Sequence, residues 1–167
     1  EIEILDFKNF KNTFLKILLY NYKKAPFFDE TFLMLSKIVE NDFQFLEDFN
    51  RVSICEIKKF FGYKDQFHSS SNLRDFIDFQ DNMDNIIKLA NNFKCTTYLN
   101  PIGGTSLYFS KRFSEEGIAL KFLKTKHIEY KQFTTTFLPN LSIIDVLMFN
   151  SIPKINELLD EYELITI

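Results

Sequence analysis

Apolar residues recur along this chain at the spacing of helices. Phe7, Phe10, Phe14, Ile17 and Leu18 stand three or four apart, which predicts an amphipathic helix from residue 7 to about 22. Lys23, Lys24, Ala25 and Pro26 end it, and Phe28, Phe32, Leu35 and Val39 repeat the pattern, so a second helix is expected over 28 to 40. Phe45, Leu46 and Phe49 continue helically, and Ser53 followed by Glu56 reads as a capping box opening a short helix that Gly62 stops. The first half is therefore helix-rich, and its core material is unusual: 21 Phe and 7 Tyr but no Trp. Burying one Phe contributes about 1.5–3 kcal/mol, so packing rather than ligand stacking is the expected use of most of these rings.

From about residue 66 the pattern changes. Gln66-Phe67-His68 is a short strand candidate running into the polar turn Ser69-Ser70-Ser71. Met83, Ile86, Ile87, Ala90 and Phe93 mark a helix with Asp81 and Asp84 near its start, where the helix dipole favours acids. Cys95-Thr96-Thr97-Tyr98-Leu99 is β-prone and breaks at Asn100-Pro101-Ile102-Gly103-Gly104-Thr105-Ser106, which holds the only glycine pair. A short helix ending at Gly117, a strand over 118 to 123, a polar stretch from His127 to Thr136, a helix near 141 to 149 and a last helix from Pro153 to about Tyr162 complete the chain. Strands alternating with helices argue for a parallel sheet, because parallel neighbours need crossovers. The expected fold is a three-layer, Rossmann-like α/β arrangement with helices on both faces of the sheet, and 167 residues suit a single domain.

Composition narrows the function classes. A chain that is 46% apolar and 26% charged, with 4 Gly and 4 Pro, is neither disordered nor low-complexity. Its net charge of −3 lacks the dominant basic face of a general nucleic-acid binder, leaving room only for a local basic patch. Leu15 to Tyr20, among the longest apolar stretches, is interrupted by Lys16 and falls far short of the roughly 20 residues that cross a bilayer. Cys55 and Cys95 form no disulfide framework and read as small buried hydrophobes, and no signal-like segment opens the chain, so a cytoplasmic protein is expected.

In an open α/β sheet, ligands bind beyond the carboxyl ends of the strands. That rule selects Ser69 to Ser71, Asn100 to Ser106 and Lys124 to His127, which share one edge if the strands are parallel. Gly103 and Gly104 would let backbone N–H groups approach an anion, Ser70 or Ser106 would donate hydrogen bonds, and Lys124 and Lys126 would supply positive charge. The competing reading is a βα turn that needs positive φ, with serines as caps, since neither dinucleotide nor P-loop glycine spacing is present. His68, His127 and Asp145 lack close metal-ligand spacing, so no metal site is expected, and nothing names a cofactor. In Tyr20-Asn21-Tyr22-Lys23-Lys24 the lysines suit the end of a helix, and in Pro139-Asn140-Leu141-Ser142 either Asn140 or Ser142 can cap a helix, with Asp145 answering Ser142.

Three segments together resemble the WbqC-like family of bacterial proteins: Tyr22-Lys23-Lys24-Ala25-Pro26-Phe27-Phe28, then Thr97-Tyr98-Leu99-Asn100-Pro101-Ile102-Gly103-Gly104, and Phe137-Leu138-Pro139-Asn140-Leu141-Ser142-Ile143-Ile144-Asp145-Val146-Leu147. The resemblance extends over essentially the whole chain, and the last segment is the most specific. It implies an α/β protein of O-antigen and other cell-surface polysaccharide biosynthesis that attaches glycine or a similar amino acid to an amino sugar. The family's N-terminal motif, Gln-Pro-x-x-x-Pro-x-x-Gly-Tyr, has no match here, so the resemblance also implies the C-terminal part of a longer protein.

Two functions are weighed on these grounds. The first is a transferase or ligase acting on a small molecule, a nucleotide-linked sugar or an activated acyl donor. It would use Ser70, Asn100, Gly103, Gly104, Ser106, Lys124 and Asn140 for binding, and His127 or Asp145 as the base that frees an amine. The alternative is a non-catalytic binding or assembly module whose exposed Phe7, Phe10 and Phe14 would drive self-association into a homo-oligomer.

Overall fold

A computed structural model describes residues 2–64, 68 and 82–166 of the 167. The chain divides into two compact units: a helical one, Glu1–Asp65 with Ile128–Asp160, and a sheet-bearing one, Gln66–His127 with Glu161–Ile167. The architecture among the described residues is mixed α/β, with seven helices and a three-stranded sheet.

In the helical unit, α1 (Phe7–Tyr22) starts where Asp6 accepts a hydrogen bond from the Asn9 amide at 3.0 Å. Its buried face is not quite the expected one. Phe7 and Leu18 are buried and Phe14, Leu15 and Tyr22 pack beside them, whereas Phe10 and Ile17 are 41% and 51% exposed. Helix α2 (Phe28–Glu40) carries Asp29 and Glu30 in its first turn and Lys37 in its last, the order the dipole favours. It buries Phe28, Leu35, Ile38 and Val39. A third helix, α3 (Leu46–Phe60), absorbs the short helix expected to open at Ser53. Ser53 lies inside it and its hydroxyl donates to the Phe49 carbonyl at 2.7 Å, so it caps nothing. The stop is read correctly, since Gly62 follows with φ +80°.

Two short helices return to this core: α6 (Ile143–Phe149) and α7 (Ile152–Leu159), capped by Ser142 and Ser151, with Pro153 in the first turn of α7. Leu147, Met148 and Ile155 join Phe7, Phe28 and Phe43 in the interior. Phe7, Phe43 and Phe49 meet edge to face at centroid distances of 5.2 to 5.5 Å. Phe7 is thus core rather than part of an exposed association surface. The strand-like start is a single antiparallel bridge from Glu3 to Phe45.

The sheet unit holds α4 (Asn82–Asn92), β1 (Thr97–Pro101), a 3-10 turn (Ile102–Gly104), α5 (Ser110–Glu115), β2 (Ala119–Thr125) and β3 (Tyr162–Ile165). Strands β1 and β2 are parallel, with Thr97 opposite Ala119 and Pro101 opposite Leu123. The fully parallel expectation fails at β3, which runs antiparallel along the other side of β2 from Phe122–Ile165 to Thr125–Tyr162. These strands make a mixed sheet smaller than a three-layer Rossmann-like arrangement uses. Its core is Phe113, Phe122, Leu120, Ile118 and Ile87, with Tyr98 stacked on Phe113 at 5.4 Å. Gly117, φ +73°, ends α5 as expected. Cys95 is exposed and Cys55 partly buried, so the expectation of two buried thiols fails for Cys95. The strand candidate Gln66-Phe67 and the turn Ser69 to Ser71 lie outside the described residues, while His68 packs against Phe93 with ring centroids 4.4 Å apart.

Candidate functional site

The parallel β1–β2 pair does bring two of the selected segments to one sheet edge. Asn100 and Pro101 end β1 opposite Phe122 and Leu123, and two residues further on β2 reaches Lys124 and Thr125, with His127 just beyond. Gly103, Ser106, Lys124 and His127 are exposed there, and Asn100 is half-buried. Ser70 is outside the described residues.

Within the turn the two glycines do different work. A Cβ on Gly103 would meet nothing within 4 Å, which leaves its backbone approachable. Gly104 is buried, and a side chain there would collide with the Asn100 amide. That amide donates from Nδ2 to Tyr98 Oη at 2.9 Å. Burial and hydrogen bonding with Tyr108, partly offset by Asn100, push the Tyr98 phenol up to about 12. Neither Gly103 nor Gly104 has positive φ, so close approach to Asn100 explains Gly104, not turn geometry.

The charge at this edge is less one-sided than the sequence suggests, because β3 begins there. Lys126 pairs with Glu161 at 3.2 Å, and Lys124 stands opposite Glu163 in the ladder. An exposed pair of this kind is worth only about 0–1 kcal/mol, so both ammonium groups stay available to an anion.

Asn140 and Asp145 belong to the helical unit. Asn140 is exposed with φ +59°, and Ser142 caps α6 by accepting from the Ile144 amide at 3.3 Å. Asp145 does not answer Ser142. It is 3% exposed, and its two oxygens accept from Tyr22 Oη at 3.0 Å, Tyr130 Oη at 2.7 Å and Gln132 Nε2 at 2.8 Å. Gln132 in turn clasps Leu138 through both its amide groups, at 3.2 and 2.8 Å. Burial first, and the carboxylate second, push Tyr22 up to about 12, and the same causes raise Tyr130 further. Both phenols therefore remain donors, and together with the Gln132 amide they compensate the carboxylate.

The sequence places Tyr22 at a helix end but not its partner, and it singles out neither Tyr130 nor Gln132. The available signal was Asp145 itself, an acid inside the apolar run Ile143 to Leu147. A carboxylate buried on that face needs donors. Two segments that carry the family resemblance meet at this point: Phe27 N–H donates to the Met148 carbonyl at 3.1 Å and the Thr31 hydroxyl to that of Leu147 at 3.1 Å, flanking the Tyr22–Asp145 bond.

Among the described residues no group of three or more His, Cys, Asp or Glu could hold a metal ion, and no helix is long and apolar enough to cross a membrane. A family model described as the WbqC-like protein family matches residues 1–157, a span that stops short of β3. No curated protein and no solved structure matches the chain.

Proposed function

We propose, because the chain belongs to the WbqC-like protein family, that it is a cytoplasmic transferase of bacterial cell-surface polysaccharide biosynthesis, O-antigen included, which attaches glycine or another amino acid to an amino sugar. The reading rests on the edge of the parallel β1–β2 pair, where a turn with an approachable backbone, a cation and an imidazole come from one unit. There the amino group of the sugar attacks the activated acyl carbon and the bond to the leaving group breaks. His127 takes the amine proton. Backbone N–H groups at Gly103 and Gly104, with Asn100 and the Ser106 hydroxyl, are assigned to the developing oxyanion, and Lys124 to the anionic portion of the donor. The donor class is an activated acyl compound, whose leaving group departs as the amide forms, and a nucleotide-linked sugar is the class of acceptor that carries the amine. Asp145, with both oxygens engaged by Tyr22, Tyr130 and Gln132 of its own unit, is not the base, and Asn140 marks the turn that leads into its helix.

Exposed Lys124 and His127 allow a test that spares the fold. His127→Gln and Lys124→Gln are expected to remove the amino-acid substituent from the polysaccharide of complemented cells, read by mass spectrometry, with unchanged thermal midpoints. A normal substituent level in both variants overturns the reading. One observation favours the alternative of an assembly module: Leu99, Ile102, Leu107 and Phe109 are 40% to 66% exposed around the same turn. On that reading Leu107→Ser with Phe109→Ser abolishes self-association in sedimentation while His127→Gln is silent.

A further inference from the structure

The helical unit carries two concavities, with one lining residue in common, that the proposed chemistry does not use. One, of about 470 Å³, is lined by Leu19, Tyr20, Asn21, Lys23, Lys24 and Phe133. The other, of about 700 Å³, lies within the loop from Glu129 to Phe137, and Phe133 lines it too. Each falls within the roughly 300–1,000 Å³ of small-molecule sites.

Their chemistries differ. The first offers two ammonium groups and no carboxylate, and neither Lys23 nor Lys24 takes part in an ion pair among the described residues. The C-terminal end of α1 beside them contributes roughly half a negative charge, which two lysines outweigh. The second is charge-balanced by Glu129 and Lys131 and is lined by Thr134, Thr135 and Thr136, of which Thr134 donates its hydroxyl hydrogen to the Thr136 carbonyl at 2.7 Å and so offers a ligand only an acceptor. Phe133, 54% exposed and set edge to face against Phe149 at 4.7 Å, lines both. The loop is held in shape beforehand, because Tyr130 and Gln132 are both tied to buried Asp145. A loop fixed in advance loses little entropy when a ligand enters.

We propose that these two concavities form one binding site for a phosphorylated sugar. The phosphate sits against Lys23 and Lys24, the ring against Phe133, and the sugar hydroxyls exchange hydrogen bonds with the threonine row and Glu129. Phosphate alone would use only the first half and neutral sugar only the second. Its residues all belong to the helical unit and share none with the sheet edge assigned to acyl transfer, so either reading can fail without the other.

Isothermal titration calorimetry of the full chain tests this with glucose-1-phosphate, glucose and inorganic phosphate as probes. Glucose-1-phosphate is expected to bind about tenfold or more tightly than either fragment, since only it makes both sets of contacts. Lys23→Gln with Lys24→Gln should weaken it by about tenfold and flatten its salt dependence. Phe133→Ala should weaken it comparably, and both variants should keep the wild-type unfolding midpoint. UDP-glucose separates the sources: tighter binding than glucose-1-phosphate identifies a nucleotide-linked sugar, equal or weaker binding a free sugar phosphate. Absence of glucose-1-phosphate binding, equal binding of inorganic phosphate, or unchanged affinity in the lysine double variant overturns the proposal. If Phe133→Ala lowers the midpoint, the lysine variant decides alone.

Discussion

Asp145 shows how little a residue's identity says about its work. In sequence it is an acid in the first turn of a helix, a place the dipole favours and a cap explains. In the folded chain it is a buried acceptor that ties the end of α1 and the 129–138 loop to α6. Asp145→Asn keeps the shape but turns an NH2 group toward hydroxyl and amide donors. We expect it to cost roughly 2–4 kcal/mol in denaturant unfolding, because buried donors lose their acceptor. The phenols carry a pH signature as well. Tyr22 and Tyr98 have folded values near 12 against 10.0 for an ordinary tyrosine. Above pH 10 the unfolded chain therefore releases protons that the folded chain still holds. The stabilisation is complete below pH 10 and is lost as pH rises toward 12. Unfolding free energy followed across that window, with tyrosinate absorbance as the probe of ionisation, should fall with pH. A flat profile would mean that these hydroxyls are not held.

The helices were readable because apolar residues three and four apart must share a face, and α1, α2 and α4 lie within a residue or two of where periodicity puts them. Caps were readable less often. Ser53 and Ser142 look alike on paper, each with an acid three residues on. Ser142 accepts from a backbone amide and starts α6, while Ser53 is swallowed by α3 because Phe49 and Val52 pack on the helical core and carry the helix through it. Ser142→Ala should cost about 1 kcal/mol, as loss of a cap does, whereas Ser53→Ala should leave stability within about 0.5 kcal/mol. Parallel chemical unfolding of the two variants checks the contrast. Strand β3 went unread for a different reason. Tyr162-Glu163-Leu164-Ile165 is short and mostly exposed, and an edge strand needs no alternation of its own when its neighbour supplies the ladder.

Across the whole chain, the sheet unit closes only when the last residues return to it, since β3 completes the ladder on β2. A chain ending at Asp160 should lose amide hydrogen-exchange protection over Phe122–Thr125, with a smaller change in α1 and α2. Equal protection in both chains would show that β2 does not depend on this partner. The candidate edge of the sheet was legible because one rule suffices: parallel neighbours place their carboxyl ends together, and Asn100 to Ser106 and Lys124 to His127 follow from it. Local spacing likewise determines which segments are helices and that phenylalanine fills the core, because both depend on neighbours in the chain. What spacing leaves open is which distant groups meet. The donors of Asp145 come from 123, 15 and 13 residues away. The acids beside Lys124 and Lys126 arrive on a strand that only pairing reveals. Those encounters are set by packing between elements, where no period in the sequence records the partner.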